Sequence, residues 1–211
     1  MEPMGTDRLA RNETARVEAF SDGVFAIAIT LLILEIHVPE VATGESLRVA
    51  IPHQWPSFLA FLASFMTIGV MWLNHHRLFT LIDKCDDGLI ALNLLLLLGV
   101  TWVPFPTALL AEHLRGPDSH IAGIIYATSF FVIAIVFNVM WRYAVHARLV
   151  ARDLNVALIT RQYSLGPFMY AALVAVAIYS GRWVLILSAL YALYFALPPR
   201  IWRRFRRTQA A

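Results

Sequence analysis

Asp22 stands at the foot of an almost unbroken apolar run, FSDGVFAIAITLLILEI, residues 20–36. A charge carried to the centre of a membrane helix costs about 2.5–3.5 kcal/mol, so a carboxylate in such a place calls for a donor. Donors of the right kind occur in MWLNHHRLF, residues 71–79, where Trp72 and His76 are i, i+4 neighbours on one helix face. Two chemistries are open to these groups. Asp22 and His76 could relay protons in a coupled transporter, or the groups could form a structural polar cluster of Arg16, Ser21, Asp22, Trp72 and His76, with Asn93 at similar depth. A simpler role for Asp22, as the acid at a helix N-terminus, is also open. The adjacent histidines His75 and His76 suggest a metal, but neighbours on a helix point about 100° apart and do not chelate. No HExxH follows. The expectation is no metal site, no enzyme and no cofactor.

The elements that hold these groups follow from composition. Of the 211 residues 59% are hydrophobic and 15% charged, with a mean hydropathy of +0.65. A soluble surface does not tolerate this balance. About 20 apolar residues cross a bilayer, and the runs predict an all-α, polytopic membrane protein with six spans near 17–38, 54–76, 88–110, 119–144, 162–180 and 182–198. The last two are separated only by SGR, a tight helical hairpin. Pro198 and Pro199 close the sixth. Residues 1–200 then form one membrane domain and 201–211 a basic tail.

Six spans put 14 of the 17 lysines and arginines on one side, leaving Arg48, Arg115 and Arg182 on the other. The positive-inside rule makes that side cytoplasmic, with both termini on it, in a multi-pass protein of the cell membrane. An odd number of spans would scatter this asymmetry. The N-terminal stretch shows no h-region with a cleavage site, so the first span is expected to persist. Cys85, the single cysteine, excludes an internal disulfide. Trp202, Phe205 and the tail arginines read as a juxtamembrane anchor on the lipid bilayer, with no nucleic acid partner.

On the first helix Ile27, Leu31 and Leu34 follow i, i+4, i+7 spacing, with Thr30 on the same stripe. Asp22 is turned about 140° from Ile27 and cannot share that face. By spacing alone such an apolar stripe is more often packing than a pore.

The segment RVEAFSDGVFAIAITLLILEI, with Arg16-x3-Phe20-Ser21-Asp22 running straight into an apolar helix, resembles the transmembrane protein 175 family of potassium channels. The Trp72-x3-His76 pair and the six-span pattern extend the likeness. The animal members resemble two fused six-helix repeats, whereas a chain of this length resembles the prokaryotic members, which assemble as homotetramers around a pore lined by the first helix. The resemblance implies a constriction at Ile27, with Leu31 and Leu34 further outward, and a hydroxyl important for potassium preference at Thr30. It also implies that Arg16, Phe20, Ser21, Asp22, Trp72, His76 and Asn93 hold the pore helix rather than touch ions.

A ring of isoleucines offers no oxygen to replace hydration water, so it would gate by dewetting and select potassium over sodium only modestly. No TVGYG filter and no arginine-rich voltage sensor occurs in the sequence. Glu35 and His37 lie at the outer end of the helix, where they either shape the pore mouth or have no role in conduction. A proton- or cation-coupled transporter built on Asp22 and His76 is the competing reading.

Overall fold

The computed structural model describes residues 4–39 and 46–196, with side chains from 13–39 and 46–193. Every element in that range is helical: α1 (Met4–Leu31), closed by a 3-10 turn at Leu32–Glu35, then α2 (Leu47–His53), α3 (Trp55–Phe79), α4 (Asp87–Trp102), α5 (Pro104–His113), α6 (Ser119–His146), α7 (Val156–Ala177) and α8 (Gly181–Ala196). Four stretches are long and apolar enough to cross a membrane: Glu13–Glu35, Trp55–Phe79, Asp87–His113 and Ser119–His146. The chain is a multi-pass membrane protein. Where a fifth and a sixth span were expected, near 162–180 and 182–198, the chain is helical as α7 and α8, but neither is among these four stretches; Pro198, Pro199 and the basic tail expected at 201–211 lie outside the described residues.

Three expectations change in detail. The third span, read as one helix over 88–110, is α4 followed by α5, with the junction at Val103–Pro104. Pro104 and Pro106 have no N–H to continue the ladder, and Val103 N instead closes a tighter turn on the Val100 carbonyl at 3.2 Å. The first span, read over 17–38, is α-helical only to Leu31 and begins well before residue 17. A short helix, α2, stands where no element was expected; the Ser46 side chain caps it by accepting from Arg48 N.

Local sequence explains the other ends. Asp86 caps α4 by accepting from Leu89 N at 2.8 Å, and Asn155 caps α7 by accepting from Leu158 N at 3.1 Å. At the end of α6, Arg148 takes a left-handed φ of 57°. Leu149 N then reaches back to the Ala144 carbonyl at 2.9 Å, a Schellman closure.

In lipid the hydrophobic effect does not drive helices together, so close backbones and polar bonds must hold them. Gly123 on α6 and Gly181 at the start of α8 provide such an approach: a Cβ added at Gly123 would lie 2.9 Å from the Gly181 Cα. Further in, Ser64 on α3 shares hydrogen bonds with Thr107 on α5 at 2.8 Å and Tyr126 on α6 at 3.1 Å. The α3–α4 and α6–α7 turns are joined by backbone: Asp83 N donates to the Leu149 carbonyl at 2.8 Å and Ala151 N to the Leu81 carbonyl at 3.0 Å.

Candidate functional site

The polar groups of the first helix divide between its two sides. Ser21, Phe25, Ala28 and Leu32 are buried, at the i, i+4, i+7, i+11 spacing of one face. That face meets α3 and α4. Phe25 packs its ring on His75, with centroids 5.3 Å apart, and His75 in turn stacks on Phe79 at 4.5 Å.

Toward the N-terminal end of the span this face is held by a buried chain. Asn93 Nδ2 donates to Ser21 Oγ at 2.9 Å, while Asn93 Oδ1 lies 2.8 Å from His75 Nε2. With the amide oxygen accepting, the imidazole carries its proton on Nε2. Ser21 Oγ donates onward to the Val17 carbonyl at 2.8 Å. One residue from each of α1, α3 and α4 thus enters a single network. Its members are buried, so any partner removed would leave the others unpaired in a low dielectric.

A second pair of bonds lies beside it, nearer the surface. Trp72 Nε1 donates to Asp22 Oδ1 at 2.8 Å, which provides the donor that the carboxylate requires. His76 Nδ1 lies 2.8 Å from Glu18 Oε1, and its ring stacks on that of Trp72 at 6.1 Å. Glu18 and Asp22 are i, i+4 on α1, as Trp72 and His76 are on α3, so two turns of each helix are fastened rung to rung.

The structure therefore brings together Ser21 with Asn93, and Asp22 with Trp72, as the sequence suggested. It places His76 on Glu18 rather than on Asp22. It gives Arg16 an exposed position with no hydrogen bond or ion pair among the described residues, and leaves Phe20 exposed at 57%. Sequence reasoning missed Glu18 and His75. Both lay in plain sight at helical spacing, Glu18 one turn before Asp22 and His75 on the face of α3 that buries Ser64, Thr67 and Ile68.

The opposite side of α1 has no cover. Ile27 is 59% exposed, Leu31 42% and Leu34 66%, and Thr30 is exposed with them. Thr30 Oγ1 donates to backbone carbonyls of its own helix, with Ala26 O at 3.0 Å and Ile27 O at 2.9 Å. The proton is committed inward, and the oxygen lone pairs remain available. Only 22% of the apolar window of this first span is buried, against 39%, 33% and 39% in the other three. Beyond the 3-10 turn, Gln54 Nε2 donates to the His37 carbonyl at 2.7 Å. The His37 ring and the half-buried Glu35 take no part in that bond. Among the described residues no group of three or more His, Cys, Asp or Glu could hold a metal ion.

An all-helical, multi-span membrane protein whose first helix is bonded firmly on one side and bare on the other is of the membrane-transport class. The chain belongs to the TMEM175 family, one of ion channels rather than enzymes: the family model for the endosomal/lysosomal potassium channel TMEM175 matches residues 16–104. A protein of Chamaesiphon minutus named as a potassium channel is 48% identical over 193 residues, covering 89% of this chain and 95% of its own. One from Streptomyces collinus, also named as a potassium channel, is 43% identical over 189 residues, covering 87% and 92%. The mouse TMEM175, named as an endosomal/lysosomal proton channel, is 37% identical over 64% of this chain and 30% of its own length. The crystal structure of the Chamaesiphon minutus homologue, described as a lysosomal potassium-selective channel TMEM175 homologue, superposes with a TM-score of 0.81 over 88% of this chain and 97% of that one.

Proposed function

We propose that this chain is the subunit of a passive potassium channel, in which four copies place α1 around a central pore. The observation that carries the reading is the bare stripe of Ile27, Thr30, Leu31 and Leu34 on the least covered of the four candidate spans. In this reading the protomer crosses the membrane six times, with Asp87–His113 as the third crossing and α7 and α8 as the fifth and sixth, and both termini are cytoplasmic. Residues 1–200 form the membrane domain.

Ile27 is the constriction: its side chain gives an ion nothing to replace hydration water, so a narrow ring of four excludes water and ions unless it widens. Leu31 and Leu34 continue the apolar wall outward. Thr30 adds one hydroxyl oxygen per subunit just beyond the constriction, which supports a preference for potassium over sodium that is modest. Ser21, Asp22, Trp72, His76 and Asn93, joined by Glu18 and His75, fasten the pore helix, with Arg16 and Phe20 of the same motif on its exposed side. Relatives named as potassium channels at 48% and 43% identity support the permeant ion.

The coupled-transporter reading needs Asp22 and His76 to exchange a proton. Asp22 is engaged by Trp72 and His76 by Glu18, so the relay has no direct contact.

The test is ion flux through purified protein in liposomes. Wild type is expected to pass potassium down its gradient without a proton gradient, Ile27→Asn to raise sodium passage severalfold, and Thr30→Ala to weaken discrimination between the two ions. A wild type silent without a proton gradient, with both variants behaving like it, would remove α1 from the pore.

A further inference from the structure

In the orientation proposed above, the cytoplasmic ends of α6 and α7 carry two arginines that have no hydrogen bond or ion pair among the described residues. Two hydrogen bonds set the register of this antiparallel pair: Trp141 Nε1 donates to Thr160 Oγ1 at 2.8 Å, and Asn138 Nδ2 to the Tyr163 carbonyl at 3.0 Å. Arg142 follows Trp141 and Arg161 follows Thr160, each turned about 100° from its contact. Seen along one axis, successive residues rotate in opposite senses about antiparallel neighbours. The two one-residue steps therefore turn to the same side of the pair. Arg142 lies one turn before the end of α6 at His146, and Arg161 just over one turn after the start of α7 at Val156. At 1.5 Å per residue both stand about 6–8 Å inside their helix termini, the depth of lipid headgroups.

Both side chains are exposed, and among the described residues neither has a hydrogen bond or ion pair. Asp86, at the neighbouring turn, is engaged by Leu89 N and by the Tyr143 hydroxyl at 2.9 Å. Toward the bilayer centre each arginine tops an apolar stripe. On α6 Val139, Ile135 and Val132 follow Arg142 at i−3, i−7 and i−10, with exposures of 45%, 39% and 50%. On α7 Leu165 and Phe168 follow Arg161 at i+4 and i+7, exposed at 48% and 74%. The main neighbours of α1 are α3 and α4, so this surface does not depend on the pore assignment.

We propose that Arg142 and Arg161 form a binding site for one anionic phospholipid, with the phosphodiester held between the two guanidinium groups and the acyl chains along the stripes below. Charge complementarity selects this occupant: guanidinium forks match phosphate oxygens in pairs, and the leaflet facing a positive-inside surface is the anionic one.

Native mass spectrometry of the purified full-length protein, given equimolar phosphatidylglycerol and phosphatidylcholine, reads the site directly. Wild type is expected to retain phosphatidylglycerol preferentially, and Arg142→Gln with Arg161→Gln to lower that retention about tenfold. Arg152→Gln, which removes an exposed cation from the adjoining turn, is expected to change it little, and replacing both arginines by lysine to give an intermediate value. Unchanged thermal unfolding checks that the double variant is folded; if it is not, each single variant is read instead and is expected to lower retention severalfold. Equal retention by the double variant and wild type would overturn the site. So would an equal loss in Arg152→Gln, which would mean diffuse charge, or displacement of the lipid by millimolar inorganic phosphate, which would mean a site for a soluble anion. Ion flux does not enter the readout, so a failure of the channel reading leaves this test intact.

Discussion

The indole N–H of Trp72 and the carboxylate of Asp22 meet at 2.8 Å between α3 and α1, and this bond gives a charge at a bilayer edge its one donor from another helix among the described residues. Trp72→Phe keeps an aromatic ring but removes the N–H, stranding the carboxylate; the expected loss is about 1.5–3 kcal/mol, the value of a hydrogen bond to a charged group. Asp22→Asn keeps an acceptor for the indole and is expected to lose less. Thermal unfolding in detergent orders the two, and a larger loss for Asp22→Asn would mean that the carboxylate does something other than accept from Trp72.

Glycines at two positions separate protomer packing from assembly. An added Cβ at Gly181 would collide with the Ser119 carbonyl oxygen, a backbone atom that cannot move aside alone, whereas at Gly23 it would meet nothing within 4 Å. Gly181→Ala is expected to lower protein yield and melting temperature sharply. Gly23→Ala is expected to leave the protomer intact, even firmer by up to about 1 kcal/mol of helix propensity. Gly23 lies on the bare side of α1, so if that side lines the pore as proposed, Gly23→Ala is expected nonetheless to alter conductance in liposomes.

Arg148 occupies a left-handed backbone position, φ 57°, which costs an L-residue roughly 1–2 kcal/mol and glycine very little. Arg148→Gly is therefore expected to raise the melting temperature slightly, the gain being reduced by the greater freedom of glycine in the unfolded chain. Arg148→Val, branched at Cβ, should lower it. Differential scanning fluorimetry on the three proteins compares them.

Burial pushes the Cys85 thiol above its ordinary range; a hydrogen bond from Thr14 pulls the other way, and the Asp86 and Glu13 carboxylates add to the rise. A raised pKa means less thiolate at neutral pH, and the thiolate is the nucleophile. Cys85 is the single cysteine, so maleimide labelling reads it cleanly. Labelling is expected to be slow at pH 7 and to climb about tenfold per pH unit beyond the point where a free thiol levels off. A plateau near pH 8 would contradict the raised value.

Much of this architecture was legible in the sequence because lipid removes alternatives: an apolar run of sufficient length has to become a helix, and a carboxylate at its edge has to find a donor. Asp22 with Trp72 followed from depth and from i, i+4 spacing. His75 and His76 were harder, since a 100° step decides which of two neighbours faces Asn93, and the rotation of α3 is set by its packing on α8 and α5, not by the histidines. The break at Val103–Pro104 was signalled by its prolines, but an apolar run flanking a proline has the same composition whether it bends or stops.

The short backbone pairing between the α3–α4 and α6–α7 turns has a further effect. Leu81, Asp83, Leu149 and Ala151 belong to connections rather than to helices, yet their N–H and C=O groups satisfy one another. Two bends far apart in the chain are riveted together, so this end of the helix bundle resembles a floor more than a fringe of loops. Whatever pulls on one turn is felt at the ends of both α3 and α6 together.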